Sequence, residues 1–398
     1  MNTKIKEKGG TFALNKCEPV HRWYSYVEGY SSCLITEELN RLLEINPNIS
    51  AVYDPFCGTG TTALVASCKG INSYYSESNP FMQKVIETKI NNVRMLVKQN
   101  KVSKLIDYIG LISKCKTNHY TEWNGFEKFF HMQQLSELLT IKNIISYEED
   151  EIVKDFLFIA LSAIIVKVSK MTRRGDLRYA TDKEYKSENV ITCFIEKLQE
   201  IVFDIQNYGN NIKCATKKVS DDARNNSYID AFDCVITSPP YLNGTNYIRN
   251  TKLELKLNDF IVGEKDLPLF HSKGIVAGIN NVSTRTVIDT ISPKVKPFVD
   301  SLQPVSYDER IPKMVAGYFR DMEDVIKRLS ISIKNGGFFT MDIGDSQFAG
   351  VHIPTHQILS EICNEYGFEI YDEEILRQRR SKNGMVLSQR LLRYRLEK

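Results

Sequence analysis

The chain has 398 residues, enough for one large domain or for a core carrying inserted lobes. Its 42% hydrophobic and 25% charged residues are those of an ordinary globular protein with a sizeable core. A net charge of +3 is too small to establish a polyanionic partner, which leaves that question to local basic clusters.

Nine cysteines occur without a CxxC pair and in no disulfide-like rhythm, which reads as free thiols in a reducing, cytoplasmic setting. No metal is expected. His352 and His356 are separated by Pro354, and Cys115 with His119 lacks a second pair. No membrane span is expected either: the N-terminus has lysines but no apolar signal core, and Phe156 to Val166 is shorter than the roughly 20 residues a membrane helix needs.

Residues 1 to about 20 are polar and expected to be loosely held. His21 to Tyr30 then packs four aromatics, read as core ahead of a ligand wall. A helix follows with Thr36 as its expected N-cap.

Ala51 to Ala63 is a strong signal. A strand ends at Asp54, glycines stand at 58 and 60, and an apolar helix starts near Thr61. Glycines let the backbone approach a ligand, and a helix N-terminus offers free N–H groups. A second strand ends near Glu77, placed to accept ribose hydroxyls. Gly58-x-Gly60-x-x-Ala63 with Glu77 formally matches a dinucleotide fingerprint, so NAD and S-adenosylmethionine both fit it.

Residues 86–205 read as helices with polar breaks, a helical insertion that is a candidate DNA-recognition lobe. A helix over 156–170 leads into Met171 to Arg178, where Arg173, Arg174 and Arg178 either line a phosphate-facing groove or solvate a helix end. Asp222 follows a strand and would lie near the cofactor of a doubly wound sheet.

Asp233 to Thr237 is an apolar strand running into Ser238-Pro239-Pro240-Tyr241. Consecutive prolines stiffen the turn and leave a hydroxyl, a proline carbonyl and an aromatic ring presented together. That trio can hold a planar amino group by two acceptors and one stacking face. A simple strand-ending turn is the bland alternative. Asn243, Tyr247 and Arg249 continue as a polar-aromatic run. Residues 251–314 are largely irregular and form a second candidate DNA-contacting insertion. Helices are expected over Tyr318 to Ile333 and Pro354 to Tyr366, strands over Phe338 to Ile343 and Phe368 to Tyr371. The tail, with Arg379 and Arg380, is the strongest basic cluster and reads partly as a final hairpin.

Asp54-Pro-Phe-Cys-Gly-Thr-Gly-Thr61 with Thr237-Ser-Pro-Pro-Tyr241 resembles the prokaryotic DNA methyltransferases that use S-adenosylmethionine to methylate an exocyclic amine. His21-Arg-Trp-Tyr24, Ser78-Asn-Pro80 and Ser220 to Arg224 resemble segments of the same family. The resemblance implies a Rossmann-like α/β methyltransferase fold with a seven-stranded mixed sheet, its catalytic core built from 21–85, 206–250 and 315–398. It implies that Asp54, Phe56, Gly58, Gly60 and Thr61 hold the methionine end, that Glu77 and Asn79 lie at the ribose, and that Asp222 binds adenine. Ser238, Pro239, Pro240 and Tyr241 would form the catalytic pocket for a flipped base. Arg173, Arg174, Arg178, Asn243, Tyr247, Arg249, Arg379 and Arg380 would contact double-stranded DNA. Within the family a leading serine leans toward cytosine N4 and an aspartate or asparagine toward adenine N6. A companion restriction endonuclease acting on the same site is a further expectation. The alternatives are an RNA base, a protein amide, or a DNA-binding regulator on an inactive fold.

Overall fold

The computed structural model describes residues 10–26, 29–242, 246–279, 282, 291–381 and 384–398. A seven-stranded sheet organises the chain. Strands β1 (Ala51–Asp54), β2 (Asn72–Ser76), β5 (Thr216–Ser220), β6 (Phe232–Thr237) and β7 (Ile333–Gly344) are parallel neighbours, in the order β7-β6-β1-β2-β5. Strand β11 (Val386–Leu396) adds antiparallel to β7, and β10 (Phe368–Arg380) closes that edge. The intervening β3 (Met171–Arg174) and β4 (Asp176–Tyr179) form a separate hairpin, as do β8 (Ser346–Phe348) and β9 (Val351–Ile353). This is the seven-stranded mixed sheet expected of a Rossmann-like methyltransferase.

Alternation along the strands explains why both faces are covered, because successive side chains point to opposite sides. Val52, Cys234, Ile236, Phe338 and Leu391 pack on one face with the helix Ser32–Ile45. Their neighbours Tyr53, Val235, Phe339 and Leu392 pack on the other with the helices Arg310–Ser332 and Thr355–Glu365. The helices Val102–Ser113, Met132–Ser146, Glu151–Ile164 and Val190–Tyr208 make the long insertion. Their buried side chains, such as Leu138, Phe156 and Leu198, are contiguous with Leu64 and Tyr75 of the first βαβ unit and Phe81 of the helix Pro80–Glu87. The insertion therefore shares one core with the first βαβ unit.

Three local expectations are corrected. The helix after the aromatic cluster starts at Ser32, because the Ser31 hydroxyl accepts from the Leu34 amide at 3.2 Å, and Thr36 lies inside it. The apolar helix ends at Ile164, and the arginines beyond it lie on the β3–β4 hairpin, turned at Gly175 with φ +82°. Residues 10–16 are not loose. Phe12 is buried, and the Asn15 side chain donates to the Tyr30 carbonyl (3.0 Å) and accepts from the Ser32 amide (2.7 Å).

Candidate active site

The five parallel strands all end at one edge, where an α/β sheet binds its ligands. A cavity of about 300 Å³ opens there. Its lining includes Phe56, Gly58, Glu77, Ser238 and Tyr241, so the glycine loop and the Pro-Pro turn face one space. The crevice lies where β2 and β6 leave β1 in opposite directions.

On the cofactor side, β1 hands over to Pro55–Thr59. Gly58 has φ +53° and Gly60 φ +84°, left-handed conformations that side chains resist. Gly60 caps the helix Thr61–Cys68 outside the cavity, and a Cβ there would come within 3.1 Å of Ile86. Phe56, Gly58 and Thr61 line the cavity. Glu77 also faces it. Its carboxylate accepts from the amides of Gly58 and Asn79, both at 2.8 Å, and burial pushes its pKa up to about 7. Asn79 lines the cavity but is mostly architectural: it caps the helix Pro80–Glu87 and donates to the Thr251 hydroxyl at 2.8 Å.

Two of the expected cofactor ligands point elsewhere. Asp54 does not line the cavity. It accepts from the Thr237 hydroxyl (2.6 Å), the Tyr30 hydroxyl (2.9 Å) and the Phe56 amide (3.1 Å), so it bolts the end of β1 to the end of β6. Burial raises its pKa against the pull of those hydrogen bonds. Asp222 holds Arg224 through two bonds of 2.9 Å, while its neighbours Asp221 and Ala223 line the cavity. Asp54 is assigned through the resemblance, and Asp222 through its place after a strand. Here a stronger protein partner captured each one.

Ser238, Pro239, Pro240 and Tyr241 all line the cavity. The Tyr241 amide donates to the Tyr247 hydroxyl at 3.2 Å. The Tyr241 hydroxyl donates to Asp342 Oδ1 at 2.9 Å, and Gln389 Nε2 donates to both atoms at 2.9 Å. Gly344 lies against the ring, since a Cβ there would meet ring carbons at 3.2 Å. The ring is thus fixed at its hydroxyl and supported beside it. Burial pushes Asp342 up to about 7. Nothing in the residues flags Asp342 or Gln389, because the register β7–β11 alone brings them together. Asp345 also lines the cavity. It accepts from the Ser388 hydroxyl at 2.8 Å and meets His356 Nδ1 at 2.6 Å.

The basic residues divide sharply. Arg173 turns inward, its side chain 11% exposed, and donates to Glu254 (2.7 Å), the Asn250 carbonyl (2.6 Å) and the Tyr24 hydroxyl (3.2 Å). The fork of Arg178 is held by Glu184 at 2.8 and 2.9 Å. The Arg174 side chain and Asn243 lie outside the described positions. Tyr247 lines the cavity, and Arg249 is exposed on the short helix Tyr247–Asn250. Arg379 lines the cavity with Arg377, and Arg380 is exposed beside them. Two further walls escaped the residue pattern: Gly10 and Thr11 from the N-terminus, and residues 270–277 from the second insertion. Among the described residues, no helix is long and apolar enough to cross a membrane, and no three His, Cys, Asp or Glu form a metal-ready group.

No family model matches the chain. It is 26% identical over 421 residues to the Type II methyltransferase M.AvaI of Nostoc sp., covering 94% of this chain and 84% of that one. It is 23% identical over 397 residues to the Type II methyltransferase M.MvaI of Kocuria varians, covering 90% and 84%. Among solved structures it is similar to a SAM-dependent methyltransferase from Methanosarcina mazei, at 8% identity and TM-score 0.31, covering 88% of this chain and 93% of that one. The donor set suits a nucleoside cofactor: a carboxylate for hydroxyls, a glycine loop leading into a helix N-terminus, and the aromatic wall of Phe56. The chain is thus similar along most of its length to Type II methyltransferases.

Proposed function

We propose that the protein is a site-specific DNA methyltransferase that methylates the exocyclic amine of an extruded base, cytosine N4 before adenine N6. One observation carries this reading: the Ser-Pro-Pro-Tyr turn opens onto the cavity that holds the glycine loop and Glu77. When bound, the cofactor supplies a methyl group on its sulfonium sulfur. Glu77 accepts the ribose hydroxyls, and the Gly58 loop borders the methionine end. On the other side, the Ser238 hydroxyl and the Pro239 carbonyl accept the two N–H groups of the target amine. That draws lone-pair density out of the ring and onto nitrogen. Tyr241 offers its ring as a stacking surface, held still by Asp342 and Gln389. In the transfer the amine would gain the methyl and lose one proton to solvent, while the S–CH3 bond of S-adenosylmethionine would break with its electron pair kept on sulfur. Rate comes from positioning and electrostatics, with no covalent enzyme intermediate. Arg377, Arg379 and Arg380 stand beside this opening, so the duplex is expected to approach over the β10–β11 hairpin.

The test is transfer of labelled methyl from the cofactor to DNA. Ser238→Ala and Tyr241→Ala should each lower kcat by about a hundredfold while cofactor affinity stays nearly unchanged. Label in RNA or protein but not in DNA would overturn the substrate assignment. Nucleoside analysis of the product then separates N4-methylcytosine, the expected outcome, from N6-methyladenine.

A further inference from the structure

The second insertion behaves differently from a free surface segment. Residues 268–277 cross the open edge of the cavity, over the ends of β2 and β5, and are fastened there. Lys273 pairs with Asp221 at 2.9 Å. Arg224 donates to the Ser272 carbonyl at 2.8 Å, and the Val276 amide donates to Asp321 at 2.9 Å. Gly274 sits against Ser78: a Cβ there would lie 3.8 Å from the Ser78 hydroxyl oxygen and 3.9 Å from the His271 carbonyl. Phe270, His271, Lys273, Gly274, Ile275 and Ala277 all line the cavity.

Within this strap His271 stands out. Its Nε2 is buried and has no hydrogen-bond partner. An enclosed, unpaired nitrogen on a residue that lines the cavity points to a missing partner. Burial lowers the His271 pKa, which keeps the ring neutral near pH 7 with one nitrogen to donate and one to accept. Its neighbours identify the partner. The strap abuts Ser78, beside Glu77, and is tied to Asp221 just past β5, at the carboxyl ends of the strands where an α/β sheet binds its ligand.

We propose that residues 268–277 are the outer wall of the cofactor's adenosine half and that His271 Nε2 hydrogen-bonds the adenosine moiety. This rests on the cofactor assignment above. The segment that looked like a DNA-contacting insertion is, over these residues, part of the cofactor site. Its fastenings run to Asp221, Arg224 and Asp321, residues with no catalytic part, so the wall stands whether or not DNA is bound.

Calorimetry on the full chain tests it, using S-adenosylmethionine and, as a probe lacking the amino-acid end, 5′-methylthioadenosine. In His271→Phe, which keeps an aromatic wall without a hydrogen bond, both ligands should bind about tenfold more weakly, the loss of one hydrogen bond. His271→Gln should recover part of that loss. Lys273→Ala, an exposed change that loosens the strap, should weaken both ligands two- to threefold while the apo protein melts as wild type. Unchanged affinities in His271→Phe, or a loss confined to S-adenosylmethionine, would overturn the proposal. If the wild type binds neither ligand, the cofactor assignment itself falls, a result read without any variant. Should His271→Phe fail to fold, the Gln and Lys273→Ala proteins decide: wild-type affinity in both overturns the wall.

Discussion

The chain contains two arginine-bearing hairpins, and they use their charge in opposite ways. In β3–β4, Arg173 turns inward and meets Glu254, with side-chain exposures of 11% and 1%. In β10–β11, Arg377, Arg379 and Arg380 are exposed and form no ion pair among the described residues, while Arg393 near the base is locked to Glu38, Asp372 and Glu374. Arginine density along a sequence therefore does not measure availability to a phosphate. What decides is whether a carboxylate of the same chain has already desolvated with the guanidinium. The first hairpin joins the insertion to the helix Lys252–Leu257; the second flanks the pocket.

The contrast can be broken in three places. The largest effect is expected from Arg173→Ala, which strands Glu254 in the interior and should cost about 3–5 kcal/mol in urea unfolding. Adding Glu254→Gln should return part of that loss, since the orphaned charge is then gone. A loss under 1 kcal/mol would show that Arg173 is not structural. The next effect belongs to Asp342 on β7, the strand on which the second hairpin is built. Burial holds Asp342 protonated up to about pH 7, well above an ordinary aspartate at about 4. Between those values the folded state binds a proton that the unfolded chain has released, so stability falls as pH rises, by up to about 1.4 kcal/mol per pH unit, and levels above 7. Asp342→Asn should remove one proton's worth of that slope in melts at pH 5, 6 and 7. The same slope in both proteins would show that Asp342 is ionised. The smallest effect is Arg379→Ala, with DNA affinity reduced a few-fold and the salt dependence lowered by about one counterion, stability unchanged. No change in the salt dependence would remove Arg379 from the DNA face.

These outcomes bear on what the residues alone could reveal. The glycine loop and the Pro-Pro turn were legible because each needs particular residue types at fixed spacing: glycines with positive φ at 58 and 60, prolines that no strand interior would accept. Their shared cavity followed from strand order. What stayed hidden depends on partners distant in sequence. Asp54 accepts from the Thr237 hydroxyl across 183 residues, whereas Asp222 is held by Arg224 only two positions on. Asp342 and Gln389 carry no motif and meet only because β11 lies antiparallel to β7. His271 lies in a stretch with no periodicity, and its site becomes visible once the strap is seen crossing the sheet edge.

One contact spans almost the entire sequence: Gln389, on the last strand, donates to the carbonyl of Gly10 at 3.0 Å. Both residues line the cavity, so this wall closes only when segments 379 positions apart have met. A product halted ahead of β11 would retain the glycine loop yet lose its roof, along with the brace on Tyr241.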